Sequence, residues 1–87
     1  MNWTVVYSKH AQKDAKKVSH SGLKDKVIAL IEVITKDPYQ TPPPYKKLVG
    51  DLSGVISRRI NIQHRLIYEV LEKEHTIKIL RMWSHYE

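Results

Sequence analysis

Two strand-like runs joined by a short polar break constrain this chain more than any other feature. Val55 to Ile62 and Leu66 to Val70 are rich in β-branched and aromatic residues, and Gln63-His64-Arg65 separates them. A turn signal, Leu52-Ser53-Gly54, opens the stretch. This pattern predicts an antiparallel hairpin. The hairpin carries an unusual charge load, because Arg58, Arg59 and Arg65 all fall within or beside strand-like sequence. Side chains alternate between the faces of a strand. Ile56, Ile60 and Ile62 therefore share one face, and Ser57, Arg59 and Asn61 the other. Arg58 is a misfit on the apolar face and is expected near an edge. A connection of odd length places Arg59 and Arg65 on one face, whereas a two-residue turn separates them. The shared face is expected, since two converging guanidiniums form a phosphate clamp. A solvated cationic face without a ligand is the alternative these residues leave open.

The rest of the chain narrows the class of molecule. Eighty-seven residues are expected to make one domain, spanning 1–87. Lys and Arg number 15 against nine Asp and Glu, for a formal charge of +6. That balance favours a polyanionic partner, either nucleic acid or an acidic protein. The absence of cysteine excludes disulfides and thiolate metal sites and suits a reducing cytosol. The five histidines show no ligand spacing, so neither a metal nor any other cofactor is expected. Met1 to Val6 lacks a basic lead followed by a long apolar run, so no signal peptide is expected. No apolar stretch approaches the roughly 20 residues of a membrane span.

Taken in order, Trp3 to Tyr7 reads as a first strand. Ser8 is a good N-cap for a helix from Lys9 to about Val18, with Ala11, Ala15 and Val18 on its apolar side. Lys9, Lys13, Lys16 and Lys17 make the remainder basic, either as a solvated face or as a track for a nucleic-acid backbone. A second helix is expected from Leu23 to Lys36, with Leu23, Val27, Leu30, Ile31 and Ile34 forming a core stripe. Leu30 and Ile34 are expected to be buried against the sheet. Asp37-Pro38 ends the helix. Pro42-Pro43-Pro44 predicts a stiff, extended connector. Lys46 to Val49 is a candidate edge strand, Glu72 to His75 a turn, and Thr76 to Trp83 a central strand. The sum is an α+β domain: two N-terminal helices on one face of a mainly antiparallel sheet, in the order β-α-α-β-β-β.

With these residues in view, the chain resembles the RelE/ParE superfamily of bacterial toxins. L-S-G-x-x-S-R-R-I from Leu52 to Ile60, H-R-L-I-Y from His64 to Tyr68, and the ending S-H-Y-E narrow the likeness to the YoeB/Txe branch. That combination is specific where Arg-Arg-Ile alone would be weak, and it covers nearly the whole chain. The resemblance implies a RelE-like fold and a metal-independent endoribonuclease of the cytoplasm. Such a toxin cuts messenger RNA in the ribosomal A site and stops translation. It also implies a cognate antitoxin of the YefM/Axe kind, with operator DNA reached only through that antitoxin, and no membrane. By the same resemblance, Arg59 and Arg65 stabilise the phosphate, His85 acts as general acid and Tyr86 positions the substrate. Lys47, Arg58 and Arg81 are further candidates for RNA contact.

One position departs from the branch. A glutamate commonly serves there as general base in a pattern like Pro-x-Glu-x-Leu, whereas this chain reads Pro44-Tyr45-Lys46-Lys47-Leu48. Lys46 thus reverses the charge at the base position. Related interferases use lysines there, so lysine-based chemistry and attenuated cleavage both stay open. Two other functions also fit part of the pattern. A ParE-like protein-binding toxin would keep the fold and drop the chemistry. A basic nucleic-acid-binding co-repressor would account for the charge, but not for arginines inside strands.

Overall fold

The computed structural model describes residues 2–47 and 54–84. Ser8 starts the helical layer: its Oγ accepts the N–H of Ala11 at 3.0 Å and opens helix α1, Lys9–Ser19. The same hydroxyl donates to the carbonyl of Leu80 at 2.9 Å. One side chain therefore caps the helix and ties it to the last strand. Helix α2, Lys24–Lys36, follows a short break and ends at Asp37.

Five strands are described: β1, Thr4–Tyr7; β2, Tyr45–Lys47; β3, Val55–Arg59; β4, Arg65–Leu71; and β5, Thr76–Ser84. They form one sheet in the order β1-β5-β4-β3-β2. β1 runs parallel to β5, and the other pairings are antiparallel. The expected α+β architecture is the one observed. Gly54 leads into β3 at φ 86°, a left-handed backbone that a residue with a Cβ adopts only under strain. Among the described residues, no helix is long and apolar enough to cross a membrane.

The core lies between the helices and one sheet face. Ala11, Val18, Val27 and Ile34 meet Ile56, Ile60, Leu66, Tyr68, Val70, Ile77, Ile79 and Met82 there. The stripe on α2 is narrower than expected. Val27 and Ile34 are buried, but Leu30, which was expected to be buried, is half-buried, as are Leu23 and Ile31. Val27 and Ile34 are seven residues apart and share one direction from the helix axis. The other three flank that line and pack against the core from its sides.

Three further expectations change. β3 ends at Arg59, not Ile62, because the Ile60 and Asn61 N–H groups turn back to the carbonyl of His64. Ile62, expected on the apolar face, therefore stands at the loop tip with 84% of its surface exposed. Arg65 belongs to β4 and not to the turn. The proline connector is not extended: it bends at Pro42 and Pro43, and the carbonyls of Pro38, Gln40 and Pro43 converge on Arg58. Of the expected edge strand, Lys46 and Lys47 pair with β3, while Leu48 and Val49 lie outside the described residues.

Candidate active site on the second face of the sheet

The loop between β3 and β4 has five residues, 60–64, and its odd length sets the register. Arg59 and Arg65 are direct cross-strand partners, so both side chains leave the sheet on the same face. That face is the one turned away from the core, since Ile56 on β3, Leu66 and Tyr68 on β4 and Ile60 just past β3 belong to the core. Val55, Ser57 and Ile67 are buried along the second face. The arginine pair lies beyond them, at the hairpin end.

The loop is built to hold its shape. The Asn61 Oδ1 accepts the N–H groups of Gln63 and His64 at 2.9 and 2.7 Å. The carbonyl of His64 accepts from Ile60 and Asn61. Arg65 fastens to this frame: its Nη1 donates to the carbonyls of Asn61 and His64 at 3.1 and 3.3 Å. One corner of the guanidinium is thereby fixed. Among the described residues, no carboxylate pairs with Arg59 or Arg65. Like charges directly opposite on a sheet repel, at a cost of roughly 0.2–1 kcal/mol. A third cation joins the row. Lys46 faces Ser57 across the β2–β3 ladder, and Ser57 is two residues from Arg59 on the same face. That places Lys46 roughly 7 Å short of the pair along the strand. The other side of the pair is the last strand, where Ser84 stands across from Arg65. His85 and Tyr86, the expected acid and positioning residue, follow Ser84 in sequence and lie outside the described residues.

The remaining candidates are elsewhere. Arg58 is 1% exposed. Its Nε donates to Tyr68 Oη at 2.9 Å, Nη1 to the Pro43 carbonyl at 2.6 Å, and Nη2 to the carbonyls of Pro38 and Gln40 at 3.2 and 2.8 Å. Its expected role in RNA contact is corrected: the guanidinium is sealed under the connector and spent on it. Lys47 alternates with Lys46 and leaves β2 on the other face, where its Nζ lies 5.7 Å from the Tyr39 ring centre. Arg81 turns to α1 and pairs with Asp14, Nε to Oδ2 at 2.8 Å.

Asp14 was missed at the level of sequence. Its carboxylate is 2% exposed and accepts from Arg81 and from the Met82 and Trp83 N–H groups. Burial alone would raise this carboxyl. The hydrogen bonds from Arg81, Met82 and Trp83, with the Arg81 charge, outweigh it and hold the group below the ordinary aspartate value. The signal was available: Ala11, Asp14, Ala15 and Val18 keep i, i+3, i+4, i+7 spacing, so Asp14 stands on the buried side of α1. A second link reaches the same strand from the arginine loop, where the buried His64 ring stacks on Trp83 with centroids 3.9 Å apart. Among the described residues, no group of His, Asp or Glu has the arrangement of a metal site.

The whole pattern has relatives. A family model described as "YoeB-like toxin of bacterial type II toxin-antitoxin system" matches residues 5–86. The chain belongs to the YoeB-like toxins. It is 31% identical to the toxin YoeB of Streptomyces coelicolor over 94% of this chain and 98% of that one. It is 36% identical to the toxin YoeB of a Synechocystis species over 67% of this chain, a match that spans 65% of the Synechocystis protein. Among solved structures, the YoeB–YefM complex of Staphylococcus aureus superposes with a TM-score of 0.80 at 29% identity. That match covers 99% of this chain and 100% of the other. The YoeB family seen in the hairpin motifs is thus the family shown.

Proposed function

We propose that this YoeB-like toxin is a ribosome-dependent messenger-RNA interferase. The observation that carries the reading is the Arg59–Arg65 pair: two cross-strand arginines that leave the hairpin end on one face, Arg65 fastened to the loop carbonyls, with no carboxylate paired to either among the described residues. A sheet gains nothing from that repulsion. A phosphate arriving between the two forks relieves it, and it does so most as charge builds on the phosphorane.

The chemistry is a transfer within the RNA. The 2'-oxygen attacks the adjacent phosphorus while its proton passes to a base. The bond from phosphorus to the 5'-oxygen breaks, and an acid protonates that oxygen. A cyclic phosphate and a free 5'-hydroxyl result. Arg59 and Arg65 hold the equatorial oxygens. His85 is the acid, because an imidazole titrates near neutrality and can donate where Lys or Arg could not readily do so. Tyr86 positions the substrate by stacking on a base. Lys46 occupies the base position and is a poor proton acceptor, since an ammonium must first lose its own proton.

The partner follows from the same charge. The S. aureus relative was solved with YefM. For this chain we infer a cognate antitoxin with an acidic and apolar segment that covers the basic face and orders on binding. Operator DNA is reached only through that antitoxin. The pattern favours neither a ParE-like protein inhibitor nor a co-repressor, because neither needs an opposed arginine pair. Mapping cuts in a message translated in vitro tests the function. The wild type is expected to cut within codons at the A site, and the double variant Arg59→Ala, Arg65→Ala to cut nothing. Equal patterns with both proteins, or no cuts with the wild type, reject the interferase reading.

A further inference from the structure

β5 does not run in one register against β4. Tyr68 faces Ile79, but Ile67 faces Arg81 and Arg65 faces Ser84. An unbroken ladder from Tyr68–Ile79 would set Met82 opposite Arg65. β5 has therefore taken up two extra residues, roughly 6–7 Å of chain at about 3.3 Å per residue. Bulges of this kind leave ladder N–H groups without strand partners. Here the N–H groups of Met82 and Trp83, consecutive in the chain, both point at Asp14 Oδ2, at 3.0 and 3.3 Å. In a regular strand, neighbouring N–H groups point to opposite edges. Two that converge on one oxygen form a small anion-binding concavity. Arg81 closes it with Nε on the same oxygen and Nη2 at 3.5 Å from Oδ1. The anion belongs to α1, whose start is tied to the same strand through Ser8, which bonds the carbonyls of Ile79 and Leu80.

We propose that Asp14 is a positioning residue for the reaction: it stores the two-residue slack in β5 and thereby brings Ser84 level with Arg65. Without the slack, Ser84 would pass beyond the arginine pair by two residues. With it, the end of the strand arrives at the phosphate clamp. His64 supports the arrangement by stacking on Trp83 from the loop that also orients Arg65. This assignment rests on the interferase reading, and its test must separate the two.

The test uses the full-length toxin as wild type, Asp14→Asn and Asp14→Ala. Nuclear magnetic resonance follows amide exchange at Met82 and Trp83 and the cross-strand Arg65–Ser84 contact, and single-turnover cleavage is read on programmed ribosomes. In Asp14→Ala, exchange at both amides should rise at least tenfold and the Arg65–Ser84 contact should disappear. The cleavage rate at saturation should fall at least tenfold, with half-saturation unchanged within twofold. Asp14→Asn keeps one acceptor and should show smaller changes in the same direction. An Arg65–Ser84 contact that survives in Asp14→Ala overturns the assignment whatever the rate does. If Asp14→Ala fails to fold, unaltered exchange at Met82 and Trp83 in Asp14→Asn overturns it instead. A wild type that cuts nothing removes the reaction, and with it the catalytic meaning of Asp14. A wild type that cuts beside an Asp14→Ala that pairs and cuts normally removes Asp14 alone.

Discussion

Arg58 leaves β3 toward the helical side, where Tyr68 Oη and the carbonyls of Pro38, Gln40 and Pro43 take its N–H groups. Arg59, one residue on, leaves by the other face and stands across from Arg65. The first cation is buried without a carboxylate among the described residues, yet nearly all its donors are met by neutral oxygens, with the Tyr45 ring 4.9 Å away. Burial also pushes the Tyr68 phenol up, though the Arg58 hydrogen bond opposes it, so the hydroxyl stays protonated. It donates in turn to the Pro38 carbonyl at 2.7 Å. The second cation has a like charge for a neighbour. The contrast teaches how to sort arginines in a basic protein. One whose fork is filled by its own chain is a structural part. One that leaves the sheet beside a like charge, with no carboxylate partner among the described residues, is a candidate for binding an anion.

The largest expected effect separates these two directly. Arg58→Met strands the connector's carbonyls and should lower stability by about 3 kcal/mol or more in a urea titration. Arg59→Ala should change it by less than about 0.5 kcal/mol, because it removes a repelling charge from an exposed position. Equal losses from both would end the distinction. The next effect concerns the fork itself. Arg65→Lys keeps the charge but loses the planar donors that reach both the loop carbonyls and a phosphate. Single-turnover cleavage should fall about a hundredfold, the scale of losing one preorganised donor. Unchanged cleavage would show that Arg65 acts only as a point charge.

The sequence made this pairing legible for physical reasons. Strand periodicity is two, so an odd loop had to bring Arg59 and Arg65 to one face, and it did. The helices, the strand order along the chain and the Arg58 parity were readable in the same way. Tertiary choices were less readable. Nothing local said that Pro38 to Pro44 would wrap a guanidinium, since proline runs favour extension until a buried donor set recruits their carbonyls. Ile62 reads as strand by composition, and the turn of the Ile60 and Asn61 N–H groups back to the His64 carbonyl, with the Asn61 side-chain bonds, sends it outward. The slack in β5 could not be seen, because register is a property of two strands together. Asp14 was visible as a charge on an apolar helix side, but its partners were not.

A smaller effect follows from Asp14 and links the helical side to the clamp. Its folded-state carboxyl lies below the ordinary aspartate value of about 3.9. The folded chain therefore holds fewer protons than the unfolded one across that range. Its contribution is complete above about pH 4 and is lost as pH falls through the folded value. Stability measured from pH 5 down to pH 2 should decline more steeply for the wild type than for Asp14→Asn. Parallel curves would mean that the Asp14 charge adds nothing to the amide and guanidinium bonds.

The smallest expected effect tests whether every cation in the second-face row helps. Lys46 is exposed, faces Ser57 and shares the face of Arg59 and Arg65. It adds positive charge to the row and offers no carboxylate to accept the 2'-hydroxyl proton. Lys46→Glu supplies a carboxylate acceptor, and general-base contributions run to about 10²–10⁴-fold. It also removes one positive charge from the row and adds a negative one, which weakens the pull on RNA. The opposing terms leave a net gain of about tenfold in single-turnover cleavage on programmed ribosomes, with weaker RNA capture at high salt. A rate that stays level or falls would make Lys46 either a working cation like the arginine pair or a bystander. The division of the row into two cations that hold phosphate and one that hinders proton transfer would then be wrong.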